Sequence, residues 1–387
     1  MPILNRAAEM QDEIAGWRHE LHQMPEILYE VHQTAAFVAE RLRSFGCDEV
    51  VTGIGRTGVV AIIKGARGPG STIGLRADMD ALPLQEISGK PYASRIPGRM
   101  HACGHDGHTA MLLGAAKYLA ETRNFSGTAV LIFQPAEEGG AGGKAMLDDG
   151  LVERFGIEAV YGMHNMPGLP AGTFAIRPGP IMAATAEFDV KLIGRGGHAA
   201  MPHTTIDPVV AASQLVLALQ TIASRNTDPI DSVVVSVTKI HAGEAHNVIA
   251  QSASLGGTIR TLRKEVAADT YRRFREICDG VAATFGVAAE VEIDVNYPVT
   301  YNHATQTDFA AAVAAEIVGE AHVDTATQPV MGGEDFSYML EARPGAFIFL
   351  GNGASAGLHN PAYDFNDEII PQGVSYWVQL VERALPA

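Results

Sequence analysis

One short segment constrains the fold of this chain more than any other, because it needs partners from distant parts of the sequence. Residues 100–108 read MHACGHDGH and bring one thiol, three imidazoles and a carboxylate into nine positions. Transition metals favour such sulfur and imidazole donors. A structural zinc ribbon needs a second Cys/His pair at short spacing, but the other two cysteines, Cys47 and Cys278, are isolated. The remaining ligands must come from far along the chain, which favours an open catalytic site.

The bulk composition narrows the class of protein. A chain of 387 residues exceeds the size at which one core usually stops growing, so we expect two domains. The formal net charge of −16 argues against nucleic acid and anionic membranes as partners. We expect neither a leader segment, because the chain opens on a polar helix, nor a membrane span, because no apolar run reaches the roughly 20 residues that a span needs. Three widely separated cysteines argue against a disulfide framework and fit a reducing compartment. We therefore expect a cytoplasmic protein.

The first part of the chain alternates predicted helices with short apolar strands. The helices are predicted at 9–23, 32–46 and 109–122, and the strands at 59–63, 72–76, 128–133 and 159–163. A polar motif follows several of these strands. This order is typical of an α/β fold in which helices flank a mixed sheet and the chemistry lies at the carboxyl ends of strands.

Near residue 183 the pattern changes. Strands are predicted at 187–193, 232–240, 252–262 and 289–295, and helices at 208–224 and 264–285. The order β-α-β-β-α-β predicts an inserted α+β domain with a four-stranded sheet and two helices, spanning 183–297. Residues 1–182 and 298–387 then form one discontinuous α/β domain, which continues with a helix at 309–317, a strand at 346–351 and a helix at 372–384.

The pair Glu137 and Glu138 is the second strong chemical signal. It follows a predicted buried strand and precedes a glycine-rich turn. Neighbouring residues leaving a strand point to opposite sides, so one carboxylate can bind metal while the other carries a proton. A solvated acidic pair is the alternative, and the buried strand before it favours a function.

Two histidines complete the donor set. His164 ends another predicted strand, and His359 lies near the C-terminus before Asn-Pro. Either histidine alone is more often an ordinary hydrogen-bonded residue than a ligand. Together with Cys103, His105 and Glu138 they provide five donors, enough for two ions that activate a water between them.

Several residues are candidates for supporting the site. Asp78 and Asp80 follow the strand at 72–76 and are placed to orient a ligand imidazole, although each is as well explained as a turn or N-cap residue. His101 and His108 are expected to support the site or to cap the following helix rather than to bind metal. Gly332 lies in a glycine turn that permits close approach to a ligand.

The inserted domain offers three further candidates. His198 lies in a glycine-rich loop after a predicted strand, and Asn247 and Arg260 flank the strand at 252–262. A guanidinium at position 260 is suited to bidentate binding of a carboxylate, or equally to a structural ion pair.

These motifs, taken together and in order, resemble a known family. The chain is similar to the zinc-dependent aminoacylase and carboxypeptidase metallopeptidases, in the branch of hippurate hydrolases and indoleacetyl-amino-acid hydrolases. The resemblance covers essentially the whole chain and is carried by residues 76–83, 100–108, 134–140, 162–165, 196–202, 247–260, 332–337 and 359–361. It implies an α/β catalytic domain and an inserted lid domain that commonly forms a dimer or a dimer of dimers.

The resemblance also implies roles for individual residues. The implied ligands of two divalent ions per subunit are Cys103, His105, Glu138, His164 and His359. Glu137 would be general base and then acid. His198 would reach the partner subunit's site and stabilise an oxyanion with help from Asn247, and Arg260 would bind the substrate carboxylate. Most branches of the wider family carry a ligand histidine where Asp78 stands and an aspartate near Cys103 that bridges the two ions. The resemblance therefore leaves open which residue of this chain bridges them.

The expected reaction is hydrolysis of the amide bond of a small N-acyl-amino acid to a carboxylic acid and a free amino acid. Zinc is the first expectation for the metal, and the mixed donors also accept manganese, cobalt or nickel. Alternatives within the same fold are a dipeptidase or carboxypeptidase and a biosynthetic N-deacetylase. Two further alternatives are a hydrolase with Cys103 as nucleophile and a binding protein that keeps the fold without turnover.

Overall fold

The computed structural model describes residues 3–386, which form two compact units. The first unit comprises the residues up to Ile181, Tyr301–Gln328 and the residues from Asp335 onward, and the second comprises Met182–Thr300 and Pro329–Glu334. The described strands are β1 (Glu49–Ile54), β2 (Gly58–Lys64), β3 (Thr72–Asp78), β4 (Thr128–Gln134), β5 (Ala159–Pro167), β6 (Phe174–Ala175), β7 (Gly179–Met182), β8 (Ala184–Ile193), β9 (Gly197–His198), β10 (Val233–Ala242), β11 (Val248–Ile249), β12 (Ser252–Thr261), β13 (Ala288–Tyr297), β14 (Thr300–Asn302), β15 (Val323–Asp324) and β16 (Gly345–Gly353).

Helices connect some of these strands. They are α1 (Asn5–Glu9), α2 (Gln11–Gln23), α3 (His32–Ser44), α4 (His105–Thr122), α5 (Gly142–Asp148), α6 (Leu151–Phe155), α7 (Pro208–Leu219), α8 (Lys264–Phe285), α9 (Ala304–Val318), α10 (Phe336–Ala342) and α11 (Ile370–Ala384). Short 3₁₀ turns lie at Pro202–Thr204, Glu320–His322 and Asp367–Ile369, and a π-helical turn lies at Ile222–Asn226.

An eight-stranded mixed sheet forms the centre of the first unit. Its strand order is β1-β2-β4-β3-β5-β16-β6-β15. Strands β4, β3, β5 and β16 run parallel to one another, and their near-continuous apolar residues are buried. Helices α4 and α11 pack on β3, and α2 packs on α4. Because parallel strands end at the same edge, Asp78 of β3 lies level with Gln134, after which the two glutamates follow.

The second unit contains an antiparallel sheet of order β10-β12-β8-β13. Strand β8 alternates buried and exposed residues, as expected for a sheet with one covered face. Its inward residues, such as Phe188, share a hydrophobic core with residues of α7 and α8, including Leu215 and Phe274. The predicted fold class is therefore confirmed: a mixed α/β sheet and a separate four-stranded α+β unit.

Some predicted boundaries were wrong for physical reasons. The helix expected from Thr109 begins at His105, because its first turn is made of buried polar residues that break the apolar pattern. The helix expected at 9–23 begins at Gln11, because Met10 separates it from α1, which ends at Glu9. The helix expected to reach residue 224 ends at Leu219, before the π-helical turn. Strand β1 was missed, because it is a largely exposed edge strand with no apolar run.

One short segment differs from the expected domain division. The sequence places Pro329–Glu334 with residues 298–387, whereas in the structure it belongs to the second unit. The reason is a backbone hydrogen bond from Ala183 N to Gly332 O at 2.9 Å and a parallel bridge between Met182 and Val330. The catalytic and lid roles of the two units stay predictions.

Within residues 3–386, every helix is too short or too polar to cross a bilayer.

Candidate metal centre

Side chains from strand ends and from the first turn of α4 converge at one edge of the large sheet. One set of donor atoms, each within 4.8 Å of the others, belongs to Asp78, His105, His108 and His164, all buried. A second such set belongs to Cys103, Glu138 and His359, and a third to His105, Glu137 and Glu138. The structure therefore brings the five ligands suggested by the sequence into one neighbourhood, with Glu137 beside them.

Two histidines each direct their Nε2 atom into this neighbourhood. His105 Nδ1 lies 2.8 Å from the backbone oxygen of Asp80, and His164 Nδ1 lies 2.6 Å from that of Asn165. A carbonyl oxygen only accepts, so Nδ1 must carry a proton, and in the neutral ring Nε2 then holds the lone pair. Among residues 3–386, His105 Nε2 has no hydrogen-bond partner although it is buried. A buried nitrogen in this state fits a bound cation.

The second part of the centre consists of Cys103, Glu138 and His359. Cys103 Sγ lies 3.4 Å from His164 Nε2, and Glu138 Oε1 lies 3.2 Å from His359 Nε2. Burial raises the pKa of the Cys103 thiol well above its usual value, and the negative charges of Glu138 and Glu137 raise it further. A divalent cation offsets all of these effects, because it favours the thiolate and neutralises the carboxylates.

Asp80 fixes the glutamate pair through its carboxylate. Its Oδ1 accepts from Glu137 N at 2.9 Å and its Oδ2 accepts from Glu138 N at 3.2 Å. The turn is also held in an unusual backbone shape, since Ala136 and Ala141 have φ values of 54° and 53°. Such left-handed non-glycine residues cost energy and persist where the surroundings enforce them. Asp80 therefore orients His105 by its backbone oxygen and both glutamates by its side chain.

Asp78 accepts hydrogen bonds from two sides of the centre. Its Oδ1 lies 2.7 Å from His108 Nδ1, and its Oδ2 accepts from Arg76 Nη1 at 2.7 Å. His108 Nε2 in turn accepts from Asn165 N at 2.9 Å, so both nitrogens of His108 are committed to protein groups. This arrangement fits a supporting role for His108. His101 is also buried, and burial lowers its pKa to about 4.

Sequence reasoning missed the buried pair of Arg76 and Asp335 beneath the centre. Arg76 Nη2 donates to Asp335 Oδ1 at 2.9 Å, and Asp335 also accepts from Gln134 Nε2 at 2.7 Å. The available signal was a lone charged residue, Arg76, at the end of an apolar strand. The partner lies 259 positions away, and no local pattern identifies it.

Three further candidates, His198, Asn247 and Arg260, belong to the second unit. His198 on β9 is directly opposite Val248 of β11, and Ala199 N donates to Asn247 O at 3.0 Å, so His198 and Asn247 are neighbours. Arg260 is half-buried on β12 and donates to neutral oxygens, namely Ile259 O at 3.0 Å, Ala186 O at 3.4 Å and Thr258 Oγ1. The roles of these residues and of Gly332 stay predictions.

Comparison with known proteins places the chain in a family. Residues 74–383 match the family described as Peptidase family M20/M25/M40. The chain is 42% identical over 385 residues to the hippurate hydrolase of Campylobacter jejuni, covering 100% of both sequences. It is 40% identical over 377 residues to the N-acetyl-L-cysteine deacetylase of Bacillus subtilis, covering 97% of this chain and 89% of that protein.

A solved structure agrees with these sequence matches. It is the Bacillus subtilis YXEP protein, described as a dinuclear metal binding peptidase from the M20 family, with a TM-score of 0.85 and 34% identity over 98% of this chain and 99% of that one. The resemblance noted from the sequence motifs is thereby confirmed. The chain belongs to the M20/M25/M40 peptidase family.

Proposed function

We propose that this protein is a metal-dependent amidohydrolase that cleaves N-acyl-amino acids to a carboxylic acid and a free amino acid. The convergence of five metal donors beside the buried carboxylate Glu137 is the observation that carries the proposal. The Campylobacter jejuni and Bacillus subtilis relatives are named for hydrolysis of hippurate and of N-acetyl-L-cysteine, and both substrates are N-acyl-amino acids.

The donor set fits two divalent ions, as in the dinuclear Bacillus subtilis neighbour. The residues that would hold them are Cys103, His105, Glu138, His164 and His359. When bound, divalent ions polarise a substrate carbonyl and lower the pKa of water towards about 7. Zinc is the metal that we propose, and the mixed sulfur, nitrogen and oxygen donors also accept manganese, cobalt or nickel.

Glu137 is the proposed proton carrier. Its backbone is held by Asp80, and its carboxylate lies within 4.8 Å of donor atoms of His105 and Glu138. In this position it accepts a proton from the water that attacks the acyl carbonyl and returns it to the departing amine. The alternative with Cys103 as nucleophile is less well supported, because burial and neighbouring carboxylates raise the pKa of that thiol and keep it protonated unless a cation is bound.

Residues of the second unit are proposed to complete substrate binding. Arg260 donates to neutral oxygens, so these contacts leave its positive charge available for a substrate carboxylate. His198 is proposed to stabilise the oxyanion in the partner subunit's site, with Asn247 beside it. Gly332 is proposed to allow close approach of the substrate.

A homodimer, or a dimer of such dimers, is proposed from the surface of the second unit. Helix α7 exposes Val209, Val210 and Leu217, with 43%, 52% and 65% of their surface accessible. Strand β10 is the edge of the four-stranded sheet, and its Ile240 is 52% exposed. An exposed apolar helix face next to an open strand edge is a surface that a second copy of the chain can cover.

A charge on this face should separate the subunits. Leu217→Glu combined with Val210→Glu is expected to shift the protein to a monomer, because burying two carboxylates in an apolar interface is costly. Light scattering coupled to gel filtration measures the mass. Ile87→Glu is the matched control, since Ile87 is 69% exposed but lies in the first unit. Retention of the dimer by the double variant would contradict this interface.

A substrate panel tests the proposed function. Hippurate, N-acetyl-amino acids and indoleacetyl-amino acids are compared with unmodified dipeptides, each with zinc, manganese, cobalt or nickel present. We expect release of the free amino acid from at least one N-acyl class. Faster cleavage of dipeptides would favour the dipeptidase alternative, and binding without any turnover would favour the binding-protein alternative.

A further inference from the structure

Behind the candidate metal centre, helix α2 carries a fully buried guanidinium. Arg18 donates from Nε to Asp367 Oδ1 at 2.8 Å and from Nη2 to Asp367 Oδ2 at 2.9 Å, a bidentate geometry. Its Nη1 lies 3.4 Å from Asp364 Oδ1 and 3.6 Å from Asp106 Oδ2. This buried cation thus reaches three carboxylates and binds Asp367 most directly, while Lys90 Nζ also pairs with Asp364 at 2.7 Å. Breaking the ion pairs of a buried guanidinium is costly.

These carboxylates belong to the segments that carry metal donors. Asp364 and Asp367 follow His359 in the sequence, and residues 354–366 contain neither helix nor strand. His359 itself has a φ of 61° and a side chain that is 55% exposed. Regular structure therefore does not fix this donor, and its position depends on how the segment is anchored. Asp106 adjoins His105 in the first turn of α4.

A second irregular segment joins the same anchor. The ring of Tyr92 lies 4.3 Å below the Arg18 guanidinium, and the Tyr92 hydroxyl donates to Asp364 Oδ2 at 2.9 Å. In the same segment, Ile87 N donates to Pro361 O at 2.9 Å. The backbone of His359 itself is held as well, since His359 N donates to Ala102 O at 2.8 Å.

We propose that Arg18 is a positioning residue for the metal centre. By holding Asp364 and Asp367 against Asp106, it sets where His359 stands relative to Cys103 and Glu138, and so the affinity for the ion that His359 binds. Arg18 contacts none of these donors and acts through the carboxylates between them. The inference rests on the proposed function, because it requires that the centre binds metal.

Metal titration tests this role. Arg18→Lys keeps the positive charge at position 18 but loses the planar guanidinium. The variant is stripped of metal, and Zn²⁺ is then titrated into it against a competing chelator. We expect the affinity for one of the two ions to fall by about tenfold or more, as is usual when a group behind a ligand is changed, with the other ion little affected. The weakened ion should be the one that His359→Ala loses.

Glu13→Gln is the matched control, because Glu13 is also on α2 and pairs with Lys117 of α4 at 2.7 Å, away from residues 354–367. It should leave both affinities unchanged. Tyr92→Phe keeps Arg18 and removes the Tyr92 hydroxyl, which bonds both oxygens of Asp364, so it decides the question if Arg18→Lys does not fold. A loss of about threefold for the same ion is expected from it.

Unchanged zinc affinities in a folded variant, or an equal loss for both ions that tracks thermal stability, would overturn the role of Arg18. Failure of the unchanged protein to bind two ions would instead overturn the proposed function, and this inference with it.

Discussion

Glu137→Gln is expected to lower the rate of N-acyl-amino acid hydrolysis by at least about a hundredfold while both ions stay bound, because the amide cannot take up the proton of the attacking water. The variant keeps the shape of the side chain, and the hydrogen bond from the backbone of residue 137 to Asp80 does not depend on the carboxylate. The measurement is steady-state hydrolysis together with the metal content of the purified protein.

The neighbouring glutamate provides the contrast. Glu138→Gln removes a charge that lies 3.2 Å from His359 Nε2 and is expected to weaken ion binding itself. The two adjacent substitutions should therefore lose activity for different reasons, one with metal and one without. Glu137→Gln with more than about a tenth of the original rate would contradict the role of Glu137 as the proton carrier.

Removal of the metal is expected to have the second large effect. Dialysis against a chelator should abolish hydrolysis, and addition of zinc or manganese should restore it, because carbonyl polarisation and water activation depend on the ions. The residual rate without metal, measured after gel filtration into metal-free buffer, should be below about a hundredth of the original rate.

The cysteines separate this account from a thiol hydrolase. Cys103→Ser should lower zinc affinity and activity together, whereas Cys47→Ser and Cys278→Ser should leave both unchanged, because these two cysteines lie outside the candidate centre. Full activity in the chelated protein, combined with loss of activity in Cys103→Ser, would show that Cys103 acts as a nucleophile.

Local patterns in the sequence were sufficient to predict most of the architecture. Alternation in residues 187–193 and near-continuous apolar runs such as 128–133 indicated one half-exposed sheet and one covered sheet. The polar motifs that follow several strands also predicted that the chemistry lies at the carboxyl ends of these strands. His164 and His359 could be nominated only as members of a set, because a single histidine has no local signature.

The supporting interactions could not be predicted in the same way. Arg76 pairs with Asp335, and Arg18 with Asp367, across 259 and 349 positions. The packing of whole helices and strands decides which buried charges pair. The spacing of residues along the chain does not indicate these pairs. The left-handed backbone at Ala136 and Ala141 was equally hidden, because alanine gives no sign of such a conformation.

Anomalous diffraction from crystals of the zinc-loaded protein tests the central claim most directly. The account predicts two peaks, about 3.5–4 Å apart as in other two-metal hydrolytic sites, among Cys103, His105, Glu138, His164 and His359, with the Glu137 carboxylate outside the coordination shell. Zinc bound elsewhere, or Glu137 found as a ligand in place of Glu138, would contradict it.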